Sequence, residues 1–189
     1  METPSQFERD VKRADEVEVE LLRRLVNNNP ETWGGNPWVV MDVRKDLEYQ
    51  KQDVDFLVKS GNKILLSIEA KIDFTKLPNF FFEIGRVTGA NGCLFITTSD
   101  ELWYYFVEDF TLYRFNMKAL REYLIKTRQE IDELRMKKQG QEGLLPAEVE
   151  KLSWYKTATA ERNSIGLAIP RDVAISILNP YVNNYKVVI

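Results

Sequence analysis

The chain has 189 residues, 44% of them hydrophobic and 29% charged, enough apolar material for one globular domain with a core. It holds no histidine and a single cysteine, which excludes Ser-His-Asp and Cys-His catalysis, imidazole- or thiolate-ligated zinc and an internal disulfide. A net charge of -3 does not advertise a nucleic-acid partner, so any cationic contact surface must be local.

Residues 5–26 read as an amphipathic helix, with Ser5 and Glu8 as a capping box and Phe7, Val11, Ala14, Leu21, Leu22 and Leu25 as its apolar stripe. Glu18 falls within that stripe. A carboxylate there either finds a partner or a cation, or reaches solvent from the helix edge. Residues 27–37 (NNNPETWGGNP) are a loop of turn formers, and WVVMDV at 38–43 is a strand apolar enough to be central. The polar stretch 44–52 carries Arg44, Lys45, Gln50, Lys51 and Gln52, which are either phosphate contacts or a solvated loop.

A hairpin follows. DVDFLVKS (53–60) and KILLSIEAKID (63–73) flank the turn Gly61-Asn62. Alternation puts Asp53 and Asp55 on one strand face and Glu69 and Lys71 on one face of the next. Antiparallel pairing then brings Asp55, Glu69 and Lys71 together. Carboxylates held a few ångströms apart repel unless a cation lies between them, and hard oxygen donors with no histidine and no thiol pair available suit Mg2+ or Mn2+. A neighbouring ammonium can orient water or neutralise a phosphate.

Beyond Lys71, Pro78 interrupts regular structure, and Phe80-Phe81-Phe82 sits in a loop that must pack or bind something. Lys76 and Arg86 are candidate phosphate contacts. GCLFITT (92–98) reads as a buried strand, with Cys93 a small buried hydrophobe. Ser99 reads as the cap of a short helical turn, ahead of two aromatic strands around 103–107 and 111–115. Asn116 caps a long helix over 117–138. Residues 139–145 are a break, 146–157 a second helix with Pro at its first turn, 165–169 a short strand, 171–178 a last helix, and the tail from Tyr181 an edge strand.

An aspartate, a gap of about a dozen residues and then Glu-x-Lys at the end of an apolar strand, here Asp55 and Glu69-Ala70-Lys71, resembles the signature of the PD-(D/E)XK nuclease superfamily. The resemblance implies an α/β fold with a central mixed β-sheet flanked by helices, a restriction-endonuclease-like core. It places that core at residues 1–115; residues 116–189 read, apart from the resemblance, as a helical extension packed on the same single domain. It further implies an Mg2+- or Mn2+-dependent DNA endonuclease, of a class that includes restriction enzymes and four-way-junction resolvases and often works as a homodimer. Asp55 and Glu69 would bind the metal, Asp53 being the alternative aspartate; Glu18 would complete the set, and Lys71 would be the catalytic ammonium. Asn79 to Glu83 is loosely similar to a piece found in a phage and mobile-element branch, which makes Glu83 either a site residue or a structural one. The alternative is a nuclease-like scaffold that binds DNA or a protein without cutting. No apolar run is long enough to span a membrane, METPSQFERD does not read as a signal peptide, and the lone cysteine points to a reducing, intracellular setting.

Overall fold

The computed structural model describes residues 12, 15–17, 19–20, 39–75, 77–140, 143–157 and 164–184. Within these the chain is α/β and forms two compact units that are not consecutive stretches of sequence. The first takes residues 1–76, 98–115 and 181–189; the second takes 77–97 and 116–180. Among the described residues no helix is long and apolar enough to cross a membrane.

The first unit is built on a six-stranded mixed sheet. Its strands are β1 (Val39–Asp42), β2 (Phe56–Ser60), β3 (Lys63–Asp73), β5 (Glu101–Phe106), β6 (Thr111–Asn116) and β9 (Tyr181–Asn184), in the order β1-β2-β3-β5-β6-β9. The expected hairpin is present: Gly61 takes a left-handed φ of 56° at the turn, and β2 runs antiparallel to β3 with Phe56 opposite Ile68. A bulge at Val58/Lys59 shifts the register beyond that point. β3 pairs in parallel with β5, Glu69 opposite Leu102 and Lys71 opposite Tyr104. The crossover between them is residues 74–100.

One face of this sheet carries the core. Phe56, Val58, Leu66, Ile68, Trp103, Tyr105 and Leu112 pack there with Val17, which is 1% exposed. Val17 belongs to the described part of the expected first helix, Lys12, Asp15–Val17, Val19 and Glu20, all helical. β1, expected as a central strand, is instead at the edge, with Val39 and Met41 exposed. Its apolar run covers one core face only, and composition alone does not separate that from burial on both faces. The expected edge strand in the tail is there, β9 running antiparallel to β6. A single helical turn, α1 (Leu47–Gln50), capped by Asp46, joins β1 to β2.

The second unit has a three-stranded antiparallel sheet, β4 (Asn79–Arg86), β8 (Ser164–Pro170) and β7 (Tyr155–Thr157), in the order β4-β8-β7. The phenylalanine run expected in a loop is strand: Phe80 and Phe82 are fully buried. Phe81, on the other face, lies over Gly166, where an added Cβ would come within 2.4 Å of the ring. The stretch expected as strand 92–98 contains a single turn of helix instead, α2 (Cys93–Ile96). Gly92 starts it because a Cβ there would stand 2.6 Å from the Gly85 nitrogen and 2.7 Å from the Glu83 carbonyl oxygen. Cys93 is half-buried rather than fully buried.

The long helix forms as read, α3 (Met117–Gln139), with the Asn116 side chain accepting from the Ala119 amide at 3.0 Å. The next helix, α4 (Pro146–Ser153), stops short of the expected 157 because Tyr155–Thr157 pairs with β8. The last helix, α5 (Arg171–Leu178), ends on Asn179 in the left-handed conformation, φ 43°.

Candidate functional site

In the first unit, residues 68, 70 and 72 of β3 face the core cluster, so alternation sends Glu69, Lys71 and Asp73 to the opposite face. Phe56 shares the core face with its partner Ile68, so Asp55 belongs on the face of Glu69 and Lys71. Asp55 is joined to β3 on both sides of Glu69. Its own amide donates to the Ile68 carbonyl at 3.0 Å, and its carboxylate accepts from the Ala70 amide at 2.8 Å. A side-chain acceptor thus takes over where the β2–β3 ladder ends, and it holds the carboxyl group beside Glu69.

Asp53 joins this group. The chain turns at Tyr49–Val54, where the Asp53 and Val54 amides donate to the carbonyls of Gln50 and Tyr49, and Asp53 sits at φ 52°. Asp and Asn tolerate that left-handed conformation better than most residues. One carboxylate oxygen of Asp53 and one of Glu69 lie within 4.8 Å of each other. Asp53 thus has a carboxylate oxygen near one of Glu69, and Asp55 brackets the Glu69 backbone.

The electrostatics match this crowding. Burial pushes the Asp55 carboxyl up to about 6, and the charges of Asp53 and Asp42 push the same way. The Ala70 hydrogen bond and the Arg44 guanidinium oppose that shift without cancelling it.

Arg44, which the sequence offers as either a phosphate contact or part of a solvated loop, is a hub. Its guanidinium donates to both carboxylate oxygens of Asp42, at 3.0 and 2.7 Å, and to Asp15 on the first helix at 2.7 Å. It also lies 4.9 Å from the ring centroid of Phe56, the residue that follows Asp55. These bonds hold the Asp42 carboxyl below the usual carboxylate range. Asp15, Glu16, Val19, Glu20, Asp42, Arg44 and Lys45 line a cleft of about 640 Å³.

Lys71 extends over Tyr104, its ammonium 5.4 Å from the ring centroid. The Tyr104 hydroxyl donates to Asp73 at 2.8 Å. Asp73 in turn accepts from the amide and hydroxyl of Thr75 at 2.7 and 2.6 Å.

The other candidates are placed as follows. Lys51 is exposed, just past α1. Gln52 is engaged in structure: its side-chain oxygen accepts from the Thr98 hydroxyl at 3.0 Å and its carbonyl from the Thr98 amide at 2.8 Å. Ser99 caps no helix; Asp100 instead bonds both the amide and the hydroxyl of Ser67, and β5 begins at Glu101. In the second unit, Arg86 is exposed at the end of β4, 3.8 Å from Glu83, whose other oxygen accepts from the Ser164 hydroxyl at 2.8 Å. Glu18 and Lys76 lie outside the described residues.

The chain matches no family model, and no significant match was found among curated proteins or solved structures.

Proposed function

We propose that the protein is a divalent-metal-dependent deoxyribonuclease, and that the face bearing Asp53, Asp55, Glu69 and Lys71 is its active site. The observation that carries this reading is the Asp55 bracket around Glu69, on the sheet face that also presents Lys71. The donor set fits a hard cation. Its three carboxylates supply hard oxygen donors, and two of them already have oxygens within 4.8 Å of each other.

Asp53, Asp55 and Glu69 would hold Mg2+ or Mn2+, with Glu18 as the further ligand that the family resemblance suggests. When bound, the ion would supply Lewis-acid charge at the scissile phosphate and acidify water. The chain's own residues do the rest. The Ala70 amide keeps the Asp55 carboxylate in place, and Lys71 directs an ammonium at the attacking water or a phosphate oxygen. Water adds to phosphorus, one P–O ester bond breaks and the leaving oxygen takes up a proton. With a net charge of -3, affinity for DNA would rest on the ion and on local cations such as Lys51 and Arg86. Branched DNA and a homodimeric arrangement belong to this reading as substrate and assembly.

The test is incubation with supercoiled and branched DNA in Mg2+, Mn2+ or EDTA, beside Lys71→Ala. Metal-dependent nicking that the variant lacks supports the enzyme. DNA binding without nicking favours the non-cleaving scaffold, and the absence of both nicking and binding leaves no role for DNA.

A further inference from the structure

A lysine side chain ends four rotatable bonds from its backbone, so a catalytic ammonium needs something to hold it. Glu69 is two residues away on the same strand, but a carboxylate committed to a cation offers a lysine little fixed geometry. The rigid neighbour is Tyr104. It stands directly opposite Lys71 in the parallel β3–β5 register and has no solvent-exposed surface. Its ring stacks on Phe106 at 4.9 Å between centroids, and its hydroxyl is tied to Asp73 at 2.8 Å. Asp73 is fixed by its two bonds from Thr75. Ring, hydroxyl and acceptor thus form a braced plate, and the Lys71 ammonium lies 5.4 Å from its centre, within the range at which a cation is drawn to an aromatic face. A phenol that donates to a carboxylate is also richer in π density than a free one, which strengthens that attraction.

We propose that Tyr104 is a positioning residue: it seats the Lys71 ammonium over its ring so that the charge reaches the scissile phosphate at one fixed place, while Asp73 and Thr75 brace the ring. This deepens the nuclease reading and rests on it for its consequence in catalysis, although the seat itself is a property of the metal-free protein. The step it serves is the transition state, so the effect belongs in kcat rather than in DNA or metal binding.

Two measurements test it. In the metal-free protein, NMR of the Lys71 ε-methylene should show an upfield ring-current shift that Tyr104→Phe and Asp73→Asn diminish and Tyr104→Leu abolishes. In nicking assays, Tyr104→Leu should lower kcat about tenfold or more with KM for DNA and the metal requirement unchanged, and Tyr104→Phe should lower it only two- to threefold. An unshifted Lys71 ε-methylene in the wild-type protein overturns the seat whatever the protein cuts, and it needs no variant to fold. Equal KM and kcat losses in Tyr104→Leu, or full activity, overturn the positioning role. A wild-type protein that shows the shift but nicks nothing overturns the nuclease reading, and the role of Tyr104 in that reaction with it.

Discussion

Asp55 stands at the entry to β2 and Glu83 within β4, both are half-buried, and both are candidate site residues in the sequence. The two units treat them in opposite ways. In the second unit Glu83 is settled: one oxygen takes the Ser164 hydroxyl and the other faces Arg86. In the first unit Asp55 is crowded by Asp53 and Asp42 and buried enough that its carboxyl titrates near 6. Arg44, whose charge opposes that shift, donates hydrogen bonds to Asp42 and Asp15. An acid with local partners holds a fold together. An acid forced among other acids is destabilised as an ion, and that is the condition a bound cation relieves.

The strongest way to break this contrast is to remove a charge from the crowded group. Glu69→Gln keeps the size of the side chain and loses the ion's ligand. Metal-dependent nicking should fall more than about 100-fold, beyond what loss of even an outer-shell partner of a metal typically costs. Gel analysis of supercoiled DNA across a Mg2+ titration measures it. A variant that recovers full rate at high Mg2+ would place Glu69 in a weaker, ancillary role, and one that is unaffected would remove the site altogether.

Asp55 supplies the next effect, and its sign is specific. A carboxyl raised from 3.8 to about 6 in the native state binds its proton more tightly folded than unfolded. Native stability in the metal-free protein therefore declines as pH rises from about 4 through about 6, and the full penalty, at most roughly 3 kcal/mol, is present above that. Asp55→Asn can still accept from the Ala70 amide but carries no charge. It should flatten the pH dependence between 4 and 7, raise the urea midpoint at pH 8, and lose nicking. In the wild-type protein Mg2+ should raise the melting temperature at pH 8 more than at pH 5, and in Asp55→Asn that difference should shrink. A variant less stable than wild type at pH 8 would show that Asp55 is held favourably as an ion, and the contrast would collapse.

How much of this was legible in the sequence follows from the range of the forces involved. The β2–β3 hairpin was readable because Gly61-Asn62 and the alternation about it are local, and the grouping of Asp55, Glu69 and Lys71 on one face follows from that period. Asn116 and the spacing after it announce α3, and Pro170-Arg171 announces α5. The errors lie where a distant residue decides. Phe80–Phe82 reads as an exposed loop until Gly166, far along the chain, provides the flat strand that Phe81 covers. GCLFITT reads as strand because a short apolar run has no period, and the tight approach of Gly92 to β4 turns it into helix. β1 reads as central because its one buried face resembles two. Arg44 and Tyr104 carry no signal of their own: Arg44 matters through Asp15 and Tyr104 through the parallel register with Lys71, and neither pairing leaves a trace in spacing.

The smallest effect sharpens the contrast from its quiet side. Glu83→Gln keeps an oxygen to accept from Ser164 and gives up only the charge facing Arg86 across 3.8 Å. Arg86 is 58% exposed at its side chain, so that ion pair is screened by solvent and contributes no more than a few tenths of a kcal/mol. The urea midpoint should move only slightly, in high salt not at all, and nicking should be unchanged within about twofold. Replacing the pair from the other end, Ser164→Ala, should cost more, about 1 kcal/mol or somewhat above, because the Glu83 oxygen then loses its donor in a half-buried position. The ranking of the two is the informative result. If the charge matters more than the hydrogen bond, and above all if nicking falls tenfold in Glu83→Gln with stability intact, Glu83 is serving a ligand rather than the β4–β8 pair, and the second unit would hold a functional acid of its own.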